Sequence, residues 1–488
     1  MPSGRFDILR SPLLFLQSVS CDVSRQDWLG AYQEWWQQEG QGISDAVDRC
    51  GTPWVRMFDR LGERVDEILY PPEYWRMLQH GYRSGVLWRG FEQESLLPAY
   101  LGIYVTAFYD PGLSCPYTVS LGTIAPLLKY GDRQLQERFL PRLLERQGGA
   151  AWQGATWMTE IKGGSDLGAN VETVARPSGD HWQLTGDKYF ASNAGAELAV
   201  VAARPEGAPQ NVRGLALYLV PRRRADGRLN YFIRRLKDKI ATRSVPTGEI
   251  ELRDSEAWLL GTVEQGIYLI LEVLNLSRVA NSMGSVALAQ RAMADALTFA
   301  ERRVAFGKPI LEQPLLRQQF EDRLRQLRAA SRLAWEAADL LNQVWREKPP
   351  YSERYHLFRL VAHLAKYWTA EFAVQTAKWA MEVHGGLGTL QEYSAERWLR
   401  EAMILAIWEG TSHRQILDGL EVMERKGAHR LLFQHLSGSA CALRDMEARV
   451  ENVLGLPADE KQAAAESLFS DLAALTAEAL LARTTQPA

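Results

Sequence analysis

The sequence predicts an α+β chain with four parts: an N-terminal helical domain (1–150), a middle β domain (151–258), a C-terminal helical domain (259–425) and a helical C-terminal extension (426–488). Three observations carry this reading. Before about residue 150, apolar side chains recur at three- and four-residue steps, the period of a helix face. Between about 151 and 255 they fall in short β-type runs separated by turn residues. From about 262 the helical period returns in long stripes.

In the first part Trp75, Leu78, Tyr82 and Val86 mark one helix behind Pro71-Pro72. Leu127, Leu128, Phe139, Leu140, Leu143 and Leu144 mark others, broken by Gly131 and by Pro141, a residue suited to a first helical turn. The middle part alternates strand and turn: Val171 to Ala175, Ser178-Gly179-Asp180, Trp182 to Thr185, Gly186-Asp187, Ala199 to Ala203, Leu215 to Val220, Asp226-Gly227 and Glu249 to Leu252. Beyond it, Val279, Met283, Val286, Met293 and Leu297 form one stripe and Leu324, Leu327 and Leu333 a second. A helix through Leu357, Leu360, Leu364 and Trp368 should stop near His384-Gly385-Gly386, because glycine tolerates the backbone that ends a helix. Thr411-Ser412 can cap the next helix through a hydroxyl. The extension keeps helical spacing at Leu443, Met446, Val450 and Leu454, then, after Pro457, at Leu468, Leu472 and Leu475.

Composition narrows the function classes. With 46% hydrophobic and 24% charged residues over 488 positions, the chain can bury a large core. No run of about 18 apolar residues marks a membrane span. A net charge of −3 lacks the basic excess of a protein built mainly to hold nucleic acid. Cys21, Cys50, Cys115 and Cys441 are widely spaced without a CxxC pair, which argues against a disulfide framework or a zinc site. The eight histidines form no HExxH, so no protein-held catalytic metal is expected. The stretch Ser11 to Cys21 faintly resembles a lipoprotein signal, but its apolar run is short and interrupted by Gln17, so a reducing cytoplasmic setting is expected. Sixteen tryptophans suit a large aromatic core and walls for a flat ligand.

Five segments carry chemistry. Trp157-Met158-Thr159-Glu160-Ile161-Lys162-Gly163-Gly164-Ser165-Asp166 offers two glycines for close backbone approach and hydroxyls for a ring edge. Gly186 to Asn193 sends an aromatic and a hydroxyl out of a strand. Ala300 to Pro309 ends a long helix in Arg302-Arg303, complementing its dipole or binding a diphosphate. His384-Gly385-Gly386-Leu387-Gly388 is too short for a GxGxxG fingerprint and follows no strand, which argues against a Rossmann fold. In Ile407-Trp408-Glu409-Gly410-Thr411-Ser412, a carboxylate between apolar residues and a glycine break is a candidate base if desolvated.

In this order the five segments resemble the acyl-CoA dehydrogenase flavoproteins over residues 50 to 425. Met158 to Asp166, Arg235-Leu-Lys-Asp-Lys239, Arg243-Ser244, Gln313-Pro314-Leu315 and Ile407 to Gly410 bring the chain nearest the alkylation-response (AidB) branch. The resemblance implies that the middle domain is an antiparallel β-barrel and the C-terminal domain a four-helix bundle, with FAD held between the β domain and the C-terminal helices. Trp157, Met158 and Thr159 would contact the isoalloxazine from one side and Phe190 and Ser192 from the other. Arg303 would reach the diphosphate of a neighbouring subunit's FAD, Gly385 and Gly386 would let backbone approach it, and Thr411 would lie near its phosphates. Ser165 and Arg278 would stand near the acyl-CoA thioester and its nucleotide end. Glu409 would take the α-proton while the β-hydride passes to flavin N5. A homotetramer and an electron-transferring flavoprotein, or a similar acceptor, come with the same resemblance.

Ala305, Pro314 and Glu382 depart from the family where it would hold the adenosine half of FAD. The AidB likeness also implies an alternative: a nucleic-acid-binding flavoprotein protective in alkylation stress, with weak dehydrogenase activity. Such proteins bind DNA through a basic C-terminal region, yet residues 426–488 carry −2, whereas residues 202–243 carry +8. That basic segment is open to three readings: a solvated face, a CoA or subunit contact, or a nucleic-acid patch. Retention of Glu409 argues against a non-catalytic scaffold.

Overall fold

The computed structural model describes residues 4–19, 21, 26–147, 149, 151–436 and 442–485; Cys441 lies outside them. The chain forms two compact units: Met1–Trp35, Ile103–Pro111 and Arg278–Ala488 in one, Trp36–Gly102 and Gly112–Ser277 in the other. Among the described residues no helix is long and apolar enough to cross a membrane, and no cluster of three His, Cys, Asp or Glu is placed to hold a metal ion.

In the second unit a hairpin of β1 (Trp54–Phe58) and β2 (Arg64–Leu69) interrupts the helices. The stretch 22–150 read as helical, and the local cause of the hairpin is Asp59, whose carboxylate accepts from the backbone N–H groups of Leu61 and Glu63 and turns the chain. Helix Ser114–Tyr130 is buried almost throughout. Pro141 lies inside helix Arg133–Leu143, which starts instead at Asp132, whose side chain caps Leu135 N at 2.8 Å.

The middle β domain holds β3 (Gly154–Trp157), β4 (Val174–Ser178), β5 (His181–Ser192), β6 (Leu198–Pro205), β7 (Ala216–Pro221), β8 (Phe232–Leu236) and β9 (Thr247–Leu259). Strand order is β3-β6-β4-β5-β9-β7, with β8 on β9, and a β6–β7 pairing closes the sheet on itself. The barrel is mixed rather than purely antiparallel, since β3 and β4 each run parallel to β6. The apolar run Ala199 to Ala203 is buried on both faces, as expected of a central strand. Gly186, read as a turn, lies within β5 at a register shift; its φ of 151° and the approach of Thr173 leave no room for a Cβ.

In the first unit, helices Pro314–Val344, Ala395–Ile407 and Ser412–Lys426 pack against helix Glu353–His384. Helix Glu353–His384 begins at Ser352, whose hydroxyl accepts from Tyr355 N, and ends at Gly385 with φ 61°, as the sequence predicts. Thr411 occupies the N-cap of Ser412–Lys426 but makes no capping bond; Ser412 Oγ donates to Glu371 at 2.5 Å instead.

The extension is part of the bundle. Helix Ala458–Thr485 packs on Pro314–Val344, Glu353–His384 and Ser412–Lys426, burying Leu468, Phe469 and Leu472, each contributing about 1.5–3 kcal/mol of apolar burial. The Phe469 ring lies so close over Gly419 that a Cβ there would collide with it.

Candidate active site

At one end of the barrel, two of the five segments are tied together. Tyr189 N donates to Thr159 O at 3.0 Å, and Trp157 Nε1 donates to Ser192 O at 3.0 Å. Trp157 is 1% exposed and meets Tyr231 edge-on at 4.8 Å. Its ring packs in the barrel core, and the indole N–H finds its acceptor inside the protein. Phe190 is the reverse case. It is 55% exposed, backed by Tyr189 at 5.2 Å and by the Lys237 ammonium at 4.8 Å. Ser192 Oγ lies 3.3 Å from Thr247 Oγ1.

Glu160 pins the loop that follows Thr159. Its carboxylate accepts from Glu172 N, Thr173 N and Thr173 Oγ1, and pairs with buried Lys188 at 2.6 Å. Burial works to raise this carboxyl, but Lys188, the Thr173 hydroxyl and the Glu172 N–H together hold it below the usual carboxylate range. Ser165 stands exposed on the pinned loop.

In the first unit, Arg303 follows helix Gly266–Arg302, exposed, and its guanidinium makes no bond among the described residues. Beside it Phe306 is 97% exposed at φ 52°. Gly385 and Gly386 are exposed, with open space where a Cβ would stand. These features fit FAD: an uncovered aromatic face, an uncommitted cation and glycines that leave room for close approach. The departures have local causes as well. Pro314 starts a helix at N1, Gln313 Nε2 donates to Ala305 O at 3.3 Å, and Glu382 pairs with Lys378 one turn earlier at 2.5 Å.

Glu409 sits in a left-handed turn, φ 58°, followed by Gly410 at φ 99°. Such a conformation is costly for a non-glycine residue and needs outside support. The support comes from three helices. Arg278 Nε and Gln415 Nε2 donate to Glu409 O at 3.2 and 3.0 Å; Gln415 Nε2 and Lys366 Nζ donate to Gly410 O at 3.1 and 2.8 Å. Both lone pairs of both carbonyls are therefore engaged. Lys366 also holds Ala406 O, at the end of helix Ala395–Ile407, at 3.0 Å. Since Gln415 spends its amide nitrogen on carbonyls, its Oε1 accepts from His363 Nδ1–H at 2.9 Å, and His363 is neutral, lowered by burial to about 3.

The carboxylate itself is different. Among the described residues no group bonds it, and loss of hydration raises it to about 7 in spite of Arg278 and Lys366. Backbone fixed, head group free and proton affinity near neutral are what a general base needs. Arg278, expected near the nucleotide end of the thioester, is buried, pairing with Asp418 at 3.0 Å while it holds Glu409 O. Trp408, expected beside the base, precedes it with a buried indole N–H that has no partner among the described residues.

Glu160, Lys366, His363, Gln415 and Asp418 were not picked out from sequence. A signal existed for two of them: His363 and Lys366 interrupt an otherwise apolar and aromatic stretch, Leu360 to Trp368, of a buried helix.

The +8 segment is partly paired where it stands, with three acids from outside it. Arg234 pairs with Asp187 and Glu251, Arg235 and Lys237 with Glu249, and Arg228 with Asp226. Arg222, Arg224 and Lys239 donate to backbone carbonyls.

Family models match three stretches: the adaptive response protein AidB N-terminal domain at residues 25–148, the acyl-CoA dehydrogenase middle domain at 155–255 and the acyl-CoA dehydrogenase C-terminal domain at 264–423. The putative acyl-CoA dehydrogenase AidB of Escherichia coli is 28% identical over 92% of this chain and 86% of its own length. Acyl-CoA dehydrogenase family member 11 of Caenorhabditis elegans is 30% identical over 79% of this chain, which spans 66% of that protein's length. The crystal structure of Caenorhabditis elegans ACDH-11 in complex with C11-CoA superposes with a TM-score of 0.82 at 25% identity, covering 97% of this chain and 86% of that one. The chain thus belongs to the acyl-CoA dehydrogenase family of FAD-binding enzymes, in the form that carries an AidB N-terminal domain.

Proposed function

We propose that the chain catalyses α,β-dehydrogenation of an acyl-CoA thioester, with Glu409 removing the α-proton. The single observation that supports it is the Glu409 turn: a carboxylate without a partner, raised to about 7, on a backbone held by Arg278, Gln415 and Lys366. An α-proton is weakly acidic, and a partly dehydrated carboxylate fixed in one place is a stronger base toward it than a solvated one.

When bound, FAD supplies the hydride acceptor. Met158, Thr159, Phe190 and Ser192 would hold its ring system; Arg303 would reach the diphosphate of a neighbouring subunit's FAD, with Gly385 and Gly386 leaving room for it and Thr411 near its phosphates. Ser165 would stand near the thioester. Electron-transferring flavoprotein as acceptor, a homotetramer and a cytoplasmic setting belong to the same proposal; exposed Val304, Phe306 and Leu315 favour a second copy of the chain as their cover.

The nucleic-acid alternative is the weaker reading. The extension is acidic, and Arg234, Arg235 and Lys237 of the basic segment are paired with Asp187, Glu249 and Glu251.

The test is a screen of acyl-CoA thioesters against anaerobic holoprotein, reading flavin absorbance. Bleaching by one class of thioester is expected. Glu409→Gln should keep the flavin and bleach about 10²–10⁴-fold more slowly. Equal bleaching by the variant would remove Glu409 as the base.

A further inference from the structure

Lys366 is fully buried on helix Glu353–His384, amid Leu360, Val361, Leu364, Ala365 and Ala370. Burying an ammonium is costly, and a leucine or methionine would pack there without that cost. Its three hydrogens therefore need a reason to be in this place. Two point at Gly410 O and Ala406 O, the carbonyls that flank the Glu409 turn.

Its charged surroundings are few. From its own helix Glu371 acts on it; from the turn, Glu409; from helix Gly266–Arg302, Arg278. Helix Ser412–Lys426 brings Asp418 and Arg414, but Asp418 is already engaged by Arg278 and Arg414. His363, one turn earlier on the Lys366 helix, is neutral, and Arg359 lies beyond it. Arg278 is spoken for by Asp418, so Lys366 is the cation near the base that no carboxylate pairs within salt-bridge distance among the described residues.

We propose that Lys366 is a positioning residue for Glu409: its ammonium locks the turn through Gly410 O and Ala406 O and supplies the positive field that draws the base toward its ionised form. This rests on the dehydrogenase reading for its consequence in turnover, not for the electrostatics. Burial brings the Lys366 ammonium down to about 7, so its field fades with rising pH over the range in which Glu409 ionises.

Three proteins test it: wild type, Lys366→Gln, which keeps one donor without charge, and Lys366→Arg, which keeps the charge. Two quantities are measured on holoprotein. The first is the pH dependence of bleaching. The second, taken with no thioester present, is the titration of the Glu409 carboxyl by infrared difference spectroscopy, the band assigned by its loss in Glu409→Gln. Removing the positive charge should move the acidic limb and the carboxyl titration upward together by about one pH unit, so that Lys366→Gln is about tenfold slower than wild type at low pH and converges with it at high pH. Lys366→Arg should leave both midpoints at the wild-type position.

A uniform loss at every pH with an unmoved carboxyl would mean that Lys366 only holds the fold and would overturn the proposal. So would equal shifts in Gln and Arg variants. If Lys366→Gln does not hold its fold, Lys366→Arg decides alone, and a shifted midpoint there counts against the proposal. If the wild type bleaches with no thioester, the dehydrogenase reading falls, while the carboxyl titration still decides the role of Lys366.

Discussion

Glu160 and Glu409 come from the two most informative stretches of the sequence, and the folded chain treats them in opposite ways. Glu160, in the barrel unit, receives three hydrogen bonds and the Lys188 ammonium, and its carboxyl is held below the ordinary range. Glu409, in the bundle unit, receives donors from the described residues on its backbone alone, and its carboxyl is raised to about 7. Both are shielded from water, so burial alone does not make a base. The difference lies in where the donors point. A carboxylate that is fully satisfied serves as an anchor, and one whose main chain is anchored in its place keeps its lone pairs for a substrate.

The largest effect expected from this contrast is on stability at Glu160. Lys188→Met removes the cation but leaves the buried carboxylate, and breaking a buried pair from one side costs about 3–5 kcal/mol. Denaturant unfolding should show that loss, with barrel fluorescence falling first. A change below about 1 kcal/mol would mean that Thr173 and the backbone N–H groups satisfy Glu160 unaided.

At Glu409 the same kind of measurement should go the other way. The folded chain binds this proton more tightly than the unfolded one, whose carboxyl titrates near 4.5. The contribution of Glu409 to stability is therefore present below that value and is lost as pH rises through about 7. Glu409→Gln, which does not titrate, should melt like wild type at about pH 4 and above it at about pH 8. A constant difference across pH would show that the carboxyl is not perturbed, and the contrast with Glu160 would disappear.

Much of this was legible in the sequence. The helix, strand and helix order follows from the change in apolar period near 150 and again near 262, because period records which face is buried. The end of helix Glu353–His384 followed from Gly385. The β1–β2 hairpin was hidden because Trp54 to Phe58 is a short, largely exposed strand whose turn depends on one Asp59 side chain. The surroundings of Trp157 and Arg278 were hidden for a related reason: a motif names a position, but only the fold shows that an indole N–H bonds Ser192 O, or that a guanidinium pairs with Asp418. Lys366 and Gln415 act on backbone carbonyls, an interaction with no residue pattern of its own.

The net charge of a segment is equally silent about its partners, and here the smallest effect gives the sharpest test. Part of the +8 of residues 202–243 is met by three acids that the sequence count left out, Asp187 from β5 and Glu249 and Glu251 from β9. Arg235 and Lys237 hold Glu249 below its usual range, and Arg253 and Arg234 do the same for Glu251, so these acids stay ionised opposite their cations. Wild-type protein should therefore retain duplex DNA weakly, with little dependence on salt. Glu249→Gln combined with Glu251→Gln would uncover Arg234, Arg235, Lys237 and Arg253 while leaving the Glu409 turn untouched. That variant should gain DNA retention that falls steeply as salt is raised, the mark of phosphate contacts that release counterions. Steep, salt-sensitive retention by the wild type would show instead that the acids of β5 and β9 do not screen the face, and that the basic segment is available to phosphate as it stands.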